Sequence, residues 1–530
     1  MTIPASRTIP ALLDELAARH PEREALVGGT QRFSYRSLRA AARALAKGLY
    51  ALGIRKGDKV GILMGNRPEW IVADLAITLL GGVMVGLNTW ATAAELEYLL
   101  GHSDTKLLIT IDRFLKHDYL AILDALAPHR DRLPRLERIV CLGTEVRPDH
   151  FRFEELAARG AAVPDATIDA AERAVGRDDV AYLLYTSGST SRPKGVQLQH
   201  YALIENMWGI GERMALTGAD RLWLAVSMFW GFACENALFA ILSHGGTVVL
   251  QEHFDAGEAL ALIARERCSV LYGTPNMVQA LDEHPDRARH DLSSLRRGGT
   301  LGSPDQMRRA IGLVPEICQV YGLTETYGNC SVTNAEDPIE RRMHTMGRPL
   351  PGVEIRIVDP ETGAVLATDE VGEIRVKGYV TCGYYKDDER TAASFDRDGF
   401  FMTGDLGLID ADGAVRFRGR IKEMVKTGGI NVAPIEVEEV LMGHPGVRLA
   451  FVVGVPDPVR DEVLGAVIVP QRPDGVSAAE LHEHCRRSLA AYKLPRLFRF
   501  AAEADLPLTV TGKVQKNRMA ELFATGATAV

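Results

Sequence analysis

From Pro10 to about Gln319, short apolar runs alternate with stretches in which apolar residues return every three or four positions. That alternation predicts parallel strands covered by helices. Strands are expected at residues 60–64, 107–111, 180–185, 247–250 and 269–272, and helices at 68–80, 92–100, 199–216 and 256–267. After Gly347 the period changes to two, as in Val353-Glu354-Ile355-Arg356-Ile357 and Glu373-Ile374-Arg375-Val376-Lys377, which predicts antiparallel strands. Asp412-Gly413 has the composition of a hairpin turn. Beyond Arg420 an α+β unit is expected, with helices near 434–442 and 478–489 and strands near 449–454 and 465–469. No fixed-period repeat or low-complexity tract interrupts this order.

A chain of 530 residues exceeds what one hydrophobic core usually organises, so a large domain and a smaller one are expected. The content of 46% hydrophobic and 25% charged residues is that of a globular protein. A net charge of −8, with both signs interspersed, provides no basic field for nucleic acid and favours small-molecule partners. Seven scattered cysteines without a CxxC pair argue against a disulfide framework or zinc cluster and for a reducing cytoplasm. No leader-like N-terminus and no apolar run of spanning length is present, so neither secretion nor membrane insertion is expected. His482-Glu483-His484-Cys485 resembles a metal cluster in composition, but lacks HExxH spacing and is expected to be a charged helix face.

The most informative segment is Tyr185-Thr186-Ser187-Gly188-Ser189-Thr190-Ser191-Arg192-Pro193-Lys194-Gly195, an apolar strand that runs into hydroxyls and glycines closed by a lysine. Free backbone N–H groups, hydroxyl donors and a compact cation suit a polyphosphate. A Walker A loop is excluded, because Pro193 and Gly195 stand where that motif needs glycine and a hydroxyl. Tyr321-Gly322-Leu323-Thr324-Glu325-Thr326 follows another short apolar strand, where open α/β sheets present ligand-binding side chains. Thr403-Gly404-Asp405, then Gly419-Arg420-Ile421-Lys422-Glu423 through Lys426-Thr427-Gly428-Gly429, and finally Thr511-Gly512-Lys513 complete an ordered set.

In order and spacing these segments resemble the signatures of the ANL superfamily of adenylate-forming enzymes, over essentially the whole chain. The resemblance implies an α/β fold with a large N-terminal domain of helix-covered sheets plus a small β-barrel over residues 1–419. It also implies a hinge at 420–422 and a smaller mobile α+β domain over 423–530. The implied activity is that of an acyl-CoA synthetase: a carboxylate attacks the α-phosphorus of ATP, pyrophosphate leaves, and the acyl adenylate passes its acyl group to CoA.

Carried over by motif, Thr186, Ser187, Gly188, Ser189, Thr190 and Lys194 would hold the β- and γ-phosphates. Glu325 would bind Mg²⁺, and Thr324 would meet the α-phosphate. Adenine would lie between Gly299-Thr300-Leu301 and Tyr321-Gly322, and Asp405 with Arg420 would bind the ribose. Lys513 would stabilise charge during adenylation. A rotation about Lys422 would then bring Lys426, Gly428 and Gly429 to line the passage for CoA.

In amino-acid adenylating relatives an aspartate pairs with the substrate ammonium; the matching stretch here, Ser227-Met228-Phe229-Trp230-Gly231-Phe232, has no carboxylate. A fatty, aryl or other bulky acid without an α-ammonium is therefore expected, with Trp230, Phe232, Asn236, Gly298 and Gly328 near it. The small residues Gly231 and Gly328 are read as room for bulk. Ser191, Trp230 and Glu423 depart from the commoner family residues at their positions. The alternatives are an acyl-AMP ligase that loads a carrier protein, a catalytically inactive nucleotide-binding homologue and luciferase-like oxygenation; a homodimer is left open.

Overall fold

The computed structural model describes residues 2–186, 192–427, 430–457, 461–473, 475–508 and 514–529. They divide into two compact units, Met1–Glu354 with Val376–Phe401, and Ile355–Arg375 with Met402–Val530.

The first unit is built on two mixed sheets. In the eight-stranded sheet the order runs Gly383–Tyr384, Lys194–Gln199, Val180–Thr186, Val83–Gly86, Lys59–Leu63, Thr105–Ile111, Arg138–Leu142 and Phe151–Arg152. The run from Val180–Thr186 to Phe151–Arg152 is parallel, and Lys194–Gln199 and Gly383–Tyr384 add to it antiparallel. The nine-stranded sheet has a parallel centre, with Glu316–Tyr321, Arg297–Thr300, Val270–Tyr272, Arg221–Leu224, Thr247–Leu250 and Glu24–Gly28 as successive neighbours. Its strands read as near-continuous apolar runs because both faces are covered. The Pro68–Leu79 helix, whose residues are almost all buried, lies in the same core, which includes Trp70, Tyr182, Trp223 and Tyr272.

Local signals place the helices close to where the periodicity puts them. Thr92 and Glu95 form a reciprocal capping box at the start of Ala93–His102, satisfying two otherwise orphaned N–H groups. Asp255 caps Ala256–Glu266, which ends as Arg267 turns left-handed. Two of the elements that the periodicity did not predict bear on the site. Lys194–Gln199 is a short edge-side strand where only the following helix is expected, and Phe232–Ala237 winds as a π-helix before the Leu238–Ser243 α-helix.

The second unit contains most of a four-stranded antiparallel sheet, in the order Glu354–Val358, Gly372–Lys377, Phe401–Ile409, Val415–Arg420. Its last two strands are joined by the turn at Asp412-Gly413, where Gly413 has φ 77° and donates to Asp410 O. Downstream, the long strands Val447–Asp457 and Asp461–Pro470 pair antiparallel. Alternation sorts the second strand: Ala466 and Ile468 pack with Val437, Leu441, Leu481 and Phe498, whereas Val467 and Val469 pack with Leu506, Met519 and Phe523. His482, His484 and Cys485 lie on the Ala478–Arg486 helix, with His482 on Pro495 O, His484 on Val440 O and Cys485 buried. No metal-holding group of three such side chains occurs among the described residues, and none of their helices is long and apolar enough to cross a membrane.

One glycine fixes the strand ends that matter below. Gly298 pairs with Leu271 at φ 145°, and a Cβ there would stand 1.7 Å from Leu271 O. Gly298→Ala is therefore expected to cost about 2 kcal/mol or more of stability. Gly312→Ala, on a helix with nothing near its absent Cβ, should be neutral or gain about 0.5–1 kcal/mol. Urea midpoints of the two variants check the contrast.

Candidate active site

Thr186 and Lys194 are Cα partners at the ends of adjacent antiparallel strands, so the hydroxyl-rich segment between them begins and ends at one sheet edge. Ser187, Gly188, Ser189 and Thr190, with Ser191, lie outside the described residues. The chain leaving that segment is anchored: Tyr98 donates its hydroxyl to Pro193 O at 2.9 Å, and Arg192 lies over the Tyr98 ring.

Lys194 faces the turn that carries Thr324 and Glu325. Its Nζ lies 4.0 Å from Glu325 Oε1 and 4.8 Å from the centre of the Tyr384 ring. The Tyr384 hydroxyl donates to Glu325 Oε1 at 2.9 Å. Burial, reinforced by the Glu325 charge, pushes the Tyr384 hydroxyl well above its ordinary pKa, so the phenol keeps the proton it donates. Thr381 N donates to Glu325 O at 2.7 Å, fixing the backbone beneath the carboxylate.

The turn itself is preorganised. Thr324–Thr326 forms a single 3₁₀ turn, closed by Gly328 N on Leu323 O, with Tyr327 and Gly328 both at positive φ. Buried amides clamp its exit: Asn236 donates to Tyr327 O at 2.8 Å and Asn206 to Asn329 O at 2.9 Å. A Cβ on Gly322 would come within 2.3 Å of Gly328 O, which is why the approach to the turn needs glycine.

Thr300 and Gln319 are partners on adjacent parallel strands, so Gly299-Thr300-Leu301 and Tyr321-Gly322 emerge at the same carboxyl edge. Such an edge is where open α/β sheets take ligands. Thr300 and Tyr321 are buried, whereas Leu301 is exposed.

Around the residues expected near the acid, Trp90, Phe229 and Trp230 form an edge-to-face cluster with centroids 5.2–5.5 Å apart. Phe232 packs on Tyr272 at 4.4 Å. The small residues do not leave the room expected of them. A Cβ on Gly328 would meet Asn236 Oδ1 at 2.1 Å, and one on Gly231 would meet Glu235 Oε1 at 2.3 Å. Asn236 is fully buried with its Nδ2 on the turn, and the space over both glycines is filled by this chain's own polar side chains.

In the second unit, Asp405 and Arg420 are cross-strand partners, with Arg420 Nε 3.0 Å from Asp405 Oδ1. Asp405 is buried while the Arg420 side chain is about half exposed. Asp405 N donates to Thr403 Oγ1, whose hydroxyl donates to Ile374 O. Lys422 is exposed on the Ile421–Glu423 turn, and Lys426 N donates to Glu462. Glu423 lies 3.7 Å from Lys516, which also pairs with buried Glu438 at 2.7 Å. Gly428, Gly429 and Lys513 lie outside the described residues; Leu508 and Val514, which flank residues 509–513, pair with each other.

The profile of the AMP-binding enzyme matches residues 13–385, and that of the AMP-binding enzyme C-terminal domain matches residues 436–513. The chain belongs to the AMP-binding enzyme family. It is 36% identical over 523 residues to the 3-[(3aS,4S,7aS)-7a-methyl-1,5-dioxo-octahydro-1H-inden-4-yl]propanoyl:CoA ligase of Mycobacterium tuberculosis, covering 97% of this chain and 99% of that one. It superposes on ATP-bound MatB from Rhodopseudomonas palustris with a TM-score of 0.84 at 30% identity, covering 97% and 99% of the two chains. On the anthranilate CoA ligase AuaEII in complex with anthranoyl-AMP the TM-score is 0.85 at 26% identity, with 98% of each chain covered. This AMP-binding enzyme thus has the ANL adenylating fold and is an acid–thiol ligase of the acyl-CoA synthetase type.

Sequence motifs missed Tyr384, Thr381, Trp90 and Glu235. Tyr384 reaches Glu325 only because Gly383–Tyr384 pairs with Lys194–Gln199, and no local pattern announces that pairing. Tyr384→Phe keeps the ring under Lys194 but removes the donor. A hydrogen bond to a charged group contributes about 1.5–3 kcal/mol, so kcat/KM for ATP should fall about ten- to a hundredfold. Steady-state kinetics at varied ATP and Mg²⁺ check this, with Tyr384→Leu expected to be worse.

Proposed function

We propose that the Lys194–Glu325–Tyr384 cluster is the phosphate end of the active site, where ATP activates a bulky carboxylic acid before transfer to CoA. One observation carries the proposal: the ammonium of Lys194, at the strand end where the hydroxyl-rich segment closes, stands 4.0 Å from the carboxylate of Glu325 on the Thr324–Thr326 turn. A site that must neutralise polyphosphate while holding a cation needs both signs at close range. Glu325 offers a single carboxylate, which suits Mg²⁺ arriving with phosphate oxygens rather than a dedicated protein cage. When bound, that ion would neutralise charge on the departing pyrophosphate.

The residues of this chain do the rest. Lys194 and the hydroxyls of Thr186, Ser187, Ser189 and Thr190 hold the β- and γ-phosphates, with Gly188 leaving the backbone N–H groups open. Thr324 orients the α-phosphate, Gly299, Thr300, Leu301, Tyr321 and Gly322 take adenine, and Asp405 with Arg420 takes the ribose hydroxyls. An oxygen of the acid attacks the α-phosphorus, the bond to pyrophosphate breaks, and the charge developing on the α-phosphate falls to Lys513. In the second half-reaction the CoA thiol loses its proton, its sulfur attacks the acyl carbonyl, and AMP leaves. Residues 1–419 and 423–530 act as separate domains about Lys422, with Lys426, Gly428 and Gly429 serving the CoA arm. The names of two relatives, with a fused-ring propanoyl group and an anthranoyl group, support a ring-bearing acid. The singly placed free cysteines suit a reducing compartment.

Exchange of labelled pyrophosphate into ATP across aryl, alicyclic and alkanoic acids tests the first half-reaction. Adding free CoA or a carrier protein separates a soluble thioester from a loaded carrier. Lys513→Ala is expected to slow adenylation about a hundredfold or more, the scale of one preorganised charge-stabilising group, and to spare thioester formation from supplied adenylate. Equal loss in both half-reactions would refute the division of labour. Lys422→Pro should impair the thioester step selectively, read by single-turnover transfer from preformed adenylate.

A further inference from the structure

Glu235 is the one buried carboxyl group of the first unit that meets no donor or acceptor among the described residues. Both of its oxygens are enclosed and unpaired, and the residue is fully buried. The other buried carboxyl groups of that unit are all engaged. Asp74 takes the Tyr182 hydroxyl, Asp220 takes Ser269 and Arg296, Glu266 takes Arg32 and Arg221, and Glu325 takes Tyr384. Buried polar groups without partners are rare and costly, so such a group calls for a partner from outside the fold.

Its placement points to what that partner is. Glu235 sits on the π-helical turn Phe232–Ala237, a winding that is rare and recurs at functional sites. Its carboxyl folds back over Gly231, which stands in the chain between the ring-bearing residues Trp230 and Phe232, and the next residue, Asn236, reaches the turn at Tyr327. Asn236 gives its Nδ2 to Tyr327 O while its Oδ1 has no partner among the described residues, so no hydrogen bond joins it to Glu235. Burial, with the Glu325 charge adding to it, pushes the Glu235 carboxyl well above the ordinary carboxylate range. A carboxyl kept neutral is a hydrogen-bond donor as well as an acceptor.

We propose that Glu235 is a specificity-determining residue whose protonated carboxyl donates to an oxygen on the body of the acid, so that the enzyme selects acids with a ring ketone or hydroxyl over their deoxygenated counterparts. The inference rests on the proposed function, with a ring-bearing acid lying beside Trp230 and Phe232. The oxygen is a second one, distinct from the reacting carboxylate, because the aromatic residues flanking Glu235 are those that would line the acyl body. A neutral donor matches a ketone or hydroxyl and gives no charge to an amine.

Pyrophosphate exchange with the full-length enzyme tests it, using acids of one carbon skeleton that carry no ring substituent, a ring ketone, a ring hydroxyl or a ring amine. Wild type should prefer the ketone or hydroxyl acid by about tenfold or more in kcat/KM, the scale on which a site built for a hydrogen bond rejects the analogue lacking it. Glu235→Gln, which still donates, should keep most of that preference. Glu235→Leu should abolish it, raising KM for the oxygenated acid and lowering it for the plain one. Equal use of plain and oxygenated acids by wild type, a preference for the amine, or a preference that survives Glu235→Leu would overturn the proposal and leave Glu235 a group satisfied by water. Should Glu235→Leu not fold, infrared difference spectra of wild type and Glu235→Gln decide. A protonated-carboxyl band that shifts on adding the ketone acid, and is missing from the glutamine variant, is expected; no shift overturns it. Failure of every acid to support exchange would refute the active-site assignment itself, whereas exchange without discrimination refutes only the role of Glu235.

Discussion

The antiparallel strand Lys194–Gln199 holds the cluster of Lys194, Glu325 and Tyr384 together. It is hydrogen-bonded on one side to Val180–Thr186, which delivers the hydroxyl-rich segment, and on the other to Gly383–Tyr384, which delivers the phenol. Thr381 ties the same region to the Glu325 backbone and, through its hydroxyl, to Gln197 O. Residues far apart in sequence thus meet as neighbours on three adjacent strands. An antiparallel strand added to a parallel sheet is well suited to this, because its hydrogen bonds fix register to the residue, and a slip of one would turn Lys194 to the other face.

Around that cluster, rigidity is bought by backbone geometry and amides rather than by further charge. The turn at Thr324–Thr326 is closed by its own hydrogen bonds, with Tyr327 and Gly328 in left-handed conformations, and Asn206 and Asn236 pin its exit. In the proposed role, in which Glu325 meets a cation and phosphates, such preorganisation is an advantage, since nothing need rearrange as charge develops. The same economy explains the glycines. Those at 231, 298, 322 and 328 are small because another group occupies the place of a Cβ, so smallness at these positions records close packing rather than empty volume.

In the second unit, alternation along Asp461–Pro470 builds two separate apolar clusters on opposite faces of one strand. Asp405 and Arg420 are set opposite each other by the hairpin through Asp412-Gly413. The pairing leaves the carboxylate buried and the guanidinium half exposed, in reach of solvent.

The sequence by itself determined a good deal: the alternation of apolar runs and amphipathic stretches, the hairpin at Asp412-Gly413, the helix starts at Thr92 and Asp255, and the ordered motifs that mark an adenylate-forming enzyme. These are local signals, carried by period, caps and turn chemistry within a few residues. The tertiary structure alone decided the partnership of Glu325 with Tyr384, the π-turn after Trp230, the filling of the space over Gly231 and Gly328, and the isolation of Glu235. Each depends on which distant strand lies beside which, and on where a side chain is left once the core has closed. Such facts have no period along the chain, and so they became legible only when the chain was folded.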